Sequence, residues 1–451
     1  MSARITDVKI LLGEEIVDRG ISIQDRRIKK ISRRTVPPKP REETERLGLR
    51  VYVAPCGIGL GHITRCEPIA DALSAEGADV VYSTYLDALE YARKKGLRTL
   101  PTVPIAFKVK EDGTVDFKMT AATSGFSLGV RRFLCQLTVE IGNIKRFRPQ
   151  VVLSDSRASS LIAAKLLGVP VALILNQFRV EIVSKPSARR IPPDDRLFFL
   201  IANIVWIFFR TFLGGVWAQS DLMLIPDFPP PYTISASNLT IPKRYQKKAK
   251  FIGPIVPLES SDIPPQHASK ASLFFDARKP LIYAAISGPK MECSVLSSLL
   301  SHSLSHLPDE YEVVLSRGDP NGASVPSREG NLTTYGWVEN QYQLLKASDL
   351  VISRAGHETI MKAIALGKPM ILIPIPDHTE QYGNAMRVCN MGFAELIPQG
   401  EVSTEQLLDA TKRLLHSPND RIHRLRQTAI DTDATETAAR HIMNLASISG
   451  P

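Results

Sequence analysis

Short apolar runs alternate with amphipathic stretches along most of the chain, a pattern typical of strands followed by helices. In the first half this pattern predicts strands at Val51–Ala54, Asp79–Ser83, Val151–Ser154 and Pro170–Leu175, and helices at Glu67–Glu76, Leu86–Lys95 and Ala158–Leu167. In the second half it predicts strands at Leu281–Ile286, Glu312–Ser316, Leu350–Ser353 and Met370–Ile375, and helices at Val295–Ser305, Gln341–Ala347, Glu358–Leu366, Glu405–Leu415 and Ala434–Asn444. Such alternation favours parallel sheets covered by helices on both faces. We therefore expect an α/β protein of two Rossmann-like, doubly wound domains that face a cleft.

A Pro-rich link at Pro254–Pro265 separates the two rounds of strands and helices. It predicts an N-terminal domain over residues 49–257 and a C-terminal domain over residues 258–451. Residues 1–48 have a different composition, with a charged and Pro-rich stretch at their end. We expect them to form a short N-terminal β appendage that is partly β or disordered.

Two short strands are predicted inside this appendage, at Val8–Leu12 and Gly20–Ile23, with Gly13 and Asp18 as turn residues between them. Residues 1–34 resemble the opening strands of amidohydrolases such as dihydroorotases. Those enzymes next need an HxH metal motif, which this chain does not contain. The resemblance therefore implies an appendage without chemistry of its own.

The composition excludes several classes of protein. The chain has 451 residues, of which 44% are hydrophobic and 23% charged, so a disordered chain, a collagen and a multi-span membrane protein are excluded. The formal net charge of +10 suggests anionic lipid, nucleic acid or phosphorylated small molecules as partners. About half of that charge lies in residues 1–50, and no zinc-finger spacing or RNA-binding signature is found, so we expect no nucleic-acid partner.

The five cysteines form no CxxC pair, and an odd number in a long chain does not suggest a disulfide framework. The N-terminus is charged throughout and lacks the apolar core of a signal peptide. Both features favour a reducing, cytoplasmic compartment.

A glycine-rich turn, Cys56–His62, follows the first predicted strand of the N-terminal domain and precedes a helix. Gly57, Gly59 and Gly61 permit a tight turn and a close approach of a ligand to the backbone. The spacing departs from the dinucleotide fingerprint, which disfavours a nicotinamide enzyme. His62 would lie at the carboxyl edge of the sheet, where it is a candidate general base; the alternative is a histidine that only caps or packs the loop.

Asp155 ends another predicted strand at the same edge and is the second candidate base. We favour the alternative that it caps the helix beginning near Ala158. Asn176-Gln177, after the next strand, is a candidate contact for an acceptor.

The strongest motif lies within residues 347–388, where two strand ends deliver glycine, amide, acidic and histidine groups to one edge. The first strand runs into Ser353-Arg354-Ala355-Gly356-His357, which opens a helix with Glu358. Glu380, Gln381 and Asn384 follow the second strand. Together these groups suggest a cradle for a nucleotide diphosphate and a sugar.

This segment resembles the C-terminal donor-binding region of family 28 glycosyltransferases, which include the N-acetylglucosaminyltransferase of peptidoglycan lipid synthesis and the plant galactolipid synthases. The GIGLGHITR turn resembles that of a MurG-like branch of archaeal and bacterial transferases, and Phe251–Pro254 resembles the usual end of the N-terminal domain. The resemblance implies the GT-B fold and inverting transfer of N-acetylglucosamine from a UDP-sugar. It also implies no cofactor and no tightly bound metal, with the acceptor on the N-terminal domain.

The resemblance also implies roles for individual residues. Ser287 and Gly288 match the loop that approaches the donor diphosphate. Arg354, Gly356 and His357 match the loop beneath the nucleotide. Gln381 matches an amide that contacts sugar or ribose, with Glu380 beside it and Asn384 on the following helix.

One position departs from the family pattern, because Lys362 stands where the family usually has a glutamate that holds the ribose hydroxyls. Ribose recognition would then pass to Glu358, the donor nucleotide would differ, or the chain would be inactive. Two rival functions follow: a nucleotide-sugar 2-epimerase, and a degenerate transferase that acts as a partner or sensor.

Residues Leu197–Trp217 are apolar and aromatic enough to span a bilayer by length, but a span there would split one sheet across the membrane. The segment is therefore either a buried helix or, as we favour, an interfacial helix. Basic residues on both sides suit an anionic membrane surface. We expect a peripheral enzyme at the cytoplasmic face with a lipid-linked acceptor.

Overall fold

The computed structural model describes residues 2–12, 15–24, 27–33, 48–105, 126–178, 207–208, 210–256, 265–286, 290–319, 321–376, 378–416 and 420–448. The chain divides into two compact units, Met1–Leu47 and Gly48–Pro451.

The first unit contains a three-stranded antiparallel sheet of β1 (Ser2–Leu12), β2 (Glu15–Gln24) and β3 (Arg27–Arg33), in that order. Both predicted strands lie within β1 and β2. The predicted turn at Asp18 is wrong, because this residue pairs with Lys9 across the two strands. Gly13 lies outside the described residues.

The second unit begins with a sheet of seven parallel strands, whose order is β10-β9-β8-β7-β4-β5-β6. Its strands are β4 (Arg50–Pro55), β5 (Asp79–Thr84), β6 (Thr99–Pro101), β7 (Val151–Asp155), β8 (Val171–Ile174), β9 (Leu222–Ile225) and β10 (Ala249–Phe251). Its helices are α1 (Gly61–Ala75), α2 (Leu86–Lys94), α3 (Phe126–Phe147) and α4 (Ala158–Leu166). Residues 207–208 and 210–217 are also helical, and Lys243–Lys248 form a 3-10 turn.

A second sheet follows in the order β13-β14-β12-β11-β15-β16-β17, parallel except for the edge pair β13 and β14. Its strands are β11 (Leu281–Ala285), β12 (Glu312–Ser316), β13 (Ser327–Glu329), β14 (Leu332–Tyr335), β15 (Leu350–Ser353), β16 (Met370–Leu372) and β17 (Ala394–Leu396). Its helices are α5 (Gln266–Ser272), α6 (Lys290–Leu304), α7 (Gln341–Ala347), α8 (His357–Ala365), α9 (Thr379–Asn390), α10 (Thr404–His416), α11 (Asp420–Thr432) and α12 (Ala434–Ile448), with a 3-10 turn at Gln399–Glu401.

The two sheets confirm the predicted pair of Rossmann-like domains. Two elements differ instructively from their predicted bounds. The helix predicted at Glu67–Glu76 begins earlier, at Gly61, directly after the glycine-rich turn. The strand predicted at Met370–Ile375 ends at Leu372, because Pro374 and Pro376 have no N–H to continue the ladder.

The core of the first Rossmann-like domain includes α12, the last helix of the described residues. Ala438, Ala439 and Ile442 of α12 pack in one cluster with Val51 and Val151 of the first sheet. The final helix therefore returns from the second sheet to the first. The predicted boundary between residues 257 and 258 lies outside the described residues.

Candidate functional site

The glycine-rich turn after β4 brings His62 to the carboxyl edge of the first sheet. Because β4 and β7 are neighbouring parallel strands, their carboxyl ends lie side by side. His62 Nδ1 lies 2.9 Å from Asp155 Oδ1. The side chain of His62 is 27% exposed and that of Asp155 is 0% exposed. When Nδ1–H donates to the carboxylate, Nε2 is left to accept a proton from an incoming hydroxyl group.

Arg65, one turn after Gly61 on α1, binds both oxygens of Asp155 through Nε and Nη2. Burial by itself raises the pKa of Asp155, but the charges and hydrogen bonds of Arg65 and His62 outweigh it and hold that pKa well below its usual range. Asp155 is therefore an ionised, buried group that orients His62 and is not placed to touch an acceptor. Our preferred alternative for Asp155, a helix cap, is wrong, since Arg157 occupies the cap position of α4 without a side-chain bond.

The glycines of the turn have separate local roles. A Cβ on Gly57 would lie 2.2 Å from the carbonyl oxygen of Tyr85, so only glycine fits there. Gly59 has φ +68° and donates its N–H to the carboxylate of Asp87 at 3.0 Å. Gly61 opens α1 and faces the second domain. A contact between these glycines and a donor stays a prediction.

A buried ion pair inside the first domain, for which the sequence analysis has no prediction, supports this turn. Glu140 of α3 is 0% exposed and binds Arg157. Tyr52 of β4 donates to the same carboxylate at 2.9 Å. The guanidinium of Arg157 lies 5.5 Å from the centre of the Tyr85 ring, the residue that fixes Gly57. The sheet edge that carries His62 is therefore supported by a buried polar network in the first domain.

Arg354 and Gly356 lie at the carboxyl edge of the second sheet, after β15. Arg354 is buried and donates through Nη1 to Gln399 Oε1 at 2.6 Å and to the carbonyl oxygen of Ile373 at 3.2 Å. Gly356 caps α8, and a Cβ there would meet no atom within 4 Å. The described residues thus leave open space next to Gly356, while Nη1 of Arg354 bonds to groups of its own domain.

His357 joins the two domains. Its Nε2 lies 3.0 Å from Asp227 Oδ2, and both side chains are buried. Asp227 also accepts from the backbone N–H groups of Phe228, Ile234 and Ser235 at 2.7–3.0 Å. Burial by itself raises the pKa of Asp227, but His357 and these N–H groups lower it. The structure therefore assigns His357 to a contact between the domains, for which the sequence contains no signal.

The predicted sugar contacts are divided between two environments. Glu380 accepts from Asn176 Nδ2 at 3.3 Å, which places this carboxylate between the two domains. Gln381 accepts from the N–H of Ile375 at 2.9 Å, and Asn384 is fully buried and donates to the carbonyl oxygen of Ala355 at 3.3 Å. Glu380 is therefore the acid of this group that borders both domains. The predicted diphosphate loop, Ser287-Gly288, lies outside the described residues.

Lys362, which stands in place of the family glutamate, is buried and engaged. Its Nζ lies 3.1 Å from Glu358 Oε1, and its side chain is 4% exposed. The Lys362 ammonium also lies 5.0 Å from the centre of the Tyr342 ring. Lys362 therefore does not offer a cation to a ligand in this structure.

The described part of the chain holds no group of three or more His, Cys, Asp or Glu side chains that could bind a metal. All five cysteines lie among the described residues, and none of them forms a disulfide. Over the same residues, no helix is both long enough and apolar enough to cross a bilayer.

Comparison with known proteins assigns a class to this arrangement. Residues 292–443 match the C-terminal domain of glycosyltransferase family 28. The chain is 26% identical over 400 residues to an "uncharacterized glycosyltransferase" of Methanosarcina acetivorans, which covers 86% of this chain and 96% of that relative. It is 29% identical over 216 residues to the UDP-N-acetylglucosamine–N-acetylmuramyl-(pentapeptide) pyrophosphoryl-undecaprenol N-acetylglucosamine transferase of Geobacillus thermodenitrificans, which covers 46% of this chain and 60% of that relative.

Among solved structures, the spinosyn rhamnosyltransferase SpnG complexed with thymidine diphosphate matches with a TM-score of 0.55 and 19% identity, over 88% of this chain and 100% of that one. The two parallel-rich sheets and this likeness confirm the predicted GT-B fold. With the family 28 domain and the full-length relative, they define the chain as a glycosyltransferase. The likeness of residues 1–34 to amidohydrolases stays a prediction.

Proposed function

We propose that this glycosyltransferase moves N-acetylglucosamine from its UDP-sugar to a hydroxyl group of a lipid-linked acceptor, with inversion at the anomeric carbon. The observation that carries the proposal is the contact of His62 with the buried Asp155 at the edge of the first domain. Glu380 of the second domain also lies close to the first domain, because it accepts a hydrogen bond from Asn176.

In the proposed reaction the acceptor oxygen forms a bond to the anomeric carbon while the bond from that carbon to the diphosphate oxygen breaks. The nucleoside diphosphate leaves with the electron pair. His62 Nε2 takes the acceptor proton, and Asp155 stabilises the imidazolium that forms. The free N–H groups at the start of α8, beyond Gly356, are oriented to stabilise an anionic leaving group.

The choice of donor rests on the relatives. The Geobacillus relative is named for UDP-N-acetylglucosamine, and it covers about half of this chain. The SpnG structure of the same fold holds thymidine diphosphate. Both support a nucleoside diphosphate sugar as the donor, and the first supports uridine and N-acetylglucosamine.

A lipid-linked acceptor is supported by an exposed apolar surface on the first domain. Phe208 is 72% exposed, Phe212 is 49% exposed, and Leu134 of α3 is 53% exposed. Phe212 contacts α3 through the ring of Phe133, with ring centres 6.4 Å apart. Apolar side chains exposed in a group of this kind suit a membrane surface. Residues 197–206 and 209 of the predicted interfacial segment lie outside the described residues.

The first experiment measures UDP release from a panel of UDP-sugars, with and without a membrane lipid extract. We expect release that depends on the extract and falls about 10²–10⁴-fold in His62→Ala. His416→Ala, an exposed histidine of α10, is the control and keeps full activity. Release without extract together with a changed free sugar would indicate the epimerase, and donor binding without any release would indicate the sensor.

The second experiment tests the membrane surface by cosedimentation with vesicles that contain phosphatidylglycerol. The double variant Phe208→Ser/Phe212→Ser is expected to lose vesicle binding. Phe274→Ser is the matched control, because Phe274 is 91% exposed but belongs to the second domain. Equal binding by both variants would contradict this part of the proposal.

A further inference from the structure

A series of charged side chains of alternating sign extends from His62 in the first domain to α8 in the second domain. Asp155 and Arg65 form the buried pair beside His62. Glu358 and Lys362 form the pair on α8. The helices α1 and α8 that carry Arg65 and the second pair are in contact.

Glu358 is the member of this series that crosses between the domains. A Cβ on Gly61 would lie 3.6 Å from Glu358 Cβ, so Glu358 packs directly over the residue that precedes His62. Burial by itself lowers the pKa of Arg65, but Asp155, with a further contribution from Glu358, raises it above its usual value. The Glu358 charge therefore acts on the guanidinium that holds the catalytic pair.

Lys362 fixes Glu358 in this place. Burial by itself lowers the pKa of Lys362, but Tyr342 and Glu358 outweigh it and raise that pKa. The ammonium is therefore charged, and it holds the carboxylate from the side of α8.

The electrostatics give Glu358 a consequence for catalysis. Arg65 places Nη2 only 3.2 Å from His62 Nδ1, so its charge opposes the positive charge that His62 acquires on taking a proton. The single negative charge of Asp155 can balance only one of these two positive charges, that of Arg65 or that of protonated His62. A second carboxylate near Arg65 restores the balance at the moment of proton transfer.

We propose that Glu358 is a positioning residue of the transfer reaction, which acts through Arg65 on His62 across the contact between the two domains. This inference rests on the proposed role of His62 as the base. It differs from the family pattern, in which a carboxylate on this helix holds the ribose of the donor.

The test separates these two roles by kinetics. In Glu358→Gln we expect kcat to fall roughly tenfold while the donor KM stays unchanged. In a His62→Ala background the same change is expected to have no further effect, because the group through which Glu358 acts is gone. A raised donor KM with unchanged kcat, or a full effect in the His62→Ala background, would overturn the proposal. Glu405→Gln, an exposed glutamate in the first turn of α10, is the matched control.

Two further variants keep the test decisive. Glu358→Gln leaves Lys362 buried without its carboxylate, so Glu358→Gln/Lys362→Met removes both charges and is expected to fold and to show the same loss of kcat. Glu358→Asp is expected to retain part of the kcat that Glu358→Gln loses.

A measurement without catalysis distinguishes failure of this inference from failure of the proposed function. We expect the changes in denaturation midpoint caused by Arg65→Lys and by Glu358→Gln not to add up to the change measured in the double variant. If no donor is turned over but the midpoints are non-additive, the proposed function fails and the link from Glu358 to Arg65 stands. Additive midpoints would overturn the link itself.

Discussion

Lys368 provides a stability prediction that depends chiefly on burial. It precedes β16 at the edge of the second sheet opposite the candidate site, and it is 6% exposed. Its Nζ donates to the carbonyl oxygen of Lys346 at 3.0 Å. Burial lowers the pKa of Lys368 to about 7, and Lys346, Arg426 and Lys270 lower it as well, against the opposing effect of Asp349. Folding is therefore expected to be penalised whenever Lys368 carries a proton.

The sign and size of this penalty follow from linkage. A lysine in the unfolded chain has a pKa of about 10.4, so between about pH 7 and pH 10 the unfolded chain binds more protons at this position than the folded protein. The penalty is therefore complete below about pH 7 and disappears as the pH rises toward 10. The difference in pKa corresponds to a penalty on the order of 4 kcal/mol. Lys368→Met removes the penalty but leaves the Lys346 carbonyl without its partner, at a cost of about 1 kcal/mol.

Denaturant unfolding of wild type and Lys368→Met across this pH range tests the prediction. We expect the variant to be more stable by about 2–3 kcal/mol near pH 7 and the advantage to vanish near pH 10. Lys412→Met, at an exposed position on α10, is the control and is expected to show no pH-dependent difference. A variant that is less stable than wild type by the same amount at every pH would refute the reasoning, because the ammonium would then be well accommodated.

Three other changes have defined outcomes. Asp227→Asn is expected to lower the free energy of unfolding by about 2–4 kcal/mol, because it weakens the contact with His357 and turns an NH₂ group toward backbone donors. Since the pKa of Asp227 is lowered in the folded protein, the difference between wild type and variant is expected to shrink as the pH falls below about 4, which acid titration of the unfolding midpoint measures. Gly57→Ala is expected to destabilise the protein through its clash with Tyr85, whereas Gly142→Ala, in the interior of α3 with no atom within 4 Å of its Cβ, is expected to stabilise it by about 0.5–1 kcal/mol in thermal unfolding.

The sequence predicts this fold where a local pattern determines the element. Gln341–Ala347 and Leu350–Ser353 have the predicted bounds because polar residues end both apolar patterns. Helix α3 was missed for a physical reason. Its inward face includes Gln136 and Glu140, which are buried only because Arg157 and other distant groups satisfy them. Leu137, Ile141 and Ile144 of the same helix recur at helical spacing and pack in the core of the first domain, so only the polar part of this face lacks an apolar signal.

The candidate site divides in the same way. His62 and Asp155 are each identifiable from their places after predicted strands, but their pairing depends on the adjacency of β4 and β7, which spacing along the chain does not give. Arg65 belongs to the motif that the sequence shows. Its role as the partner of Asp155 is evident only from the structure, in which Nε and Nη2 bind the two carboxylate oxygens. Asp227, in a loop after β9, is recognisable only through its partner on the other domain.

The departure at Lys362 has its explanation in the same three-dimensional contacts. Glu358 lies in the first turn of α8, where the helix dipole favours an acid, and Lys362 one turn later balances its charge. A carboxylate at position 362 with Glu358 retained would place two acids four residues apart in a largely buried contact, which is unfavourable. The residues at these two positions therefore act as a unit. The cation at 362, taken alone, does not indicate a lost donor site, because it points to Glu358 and Tyr342 and leaves the edge beside Gly356 open.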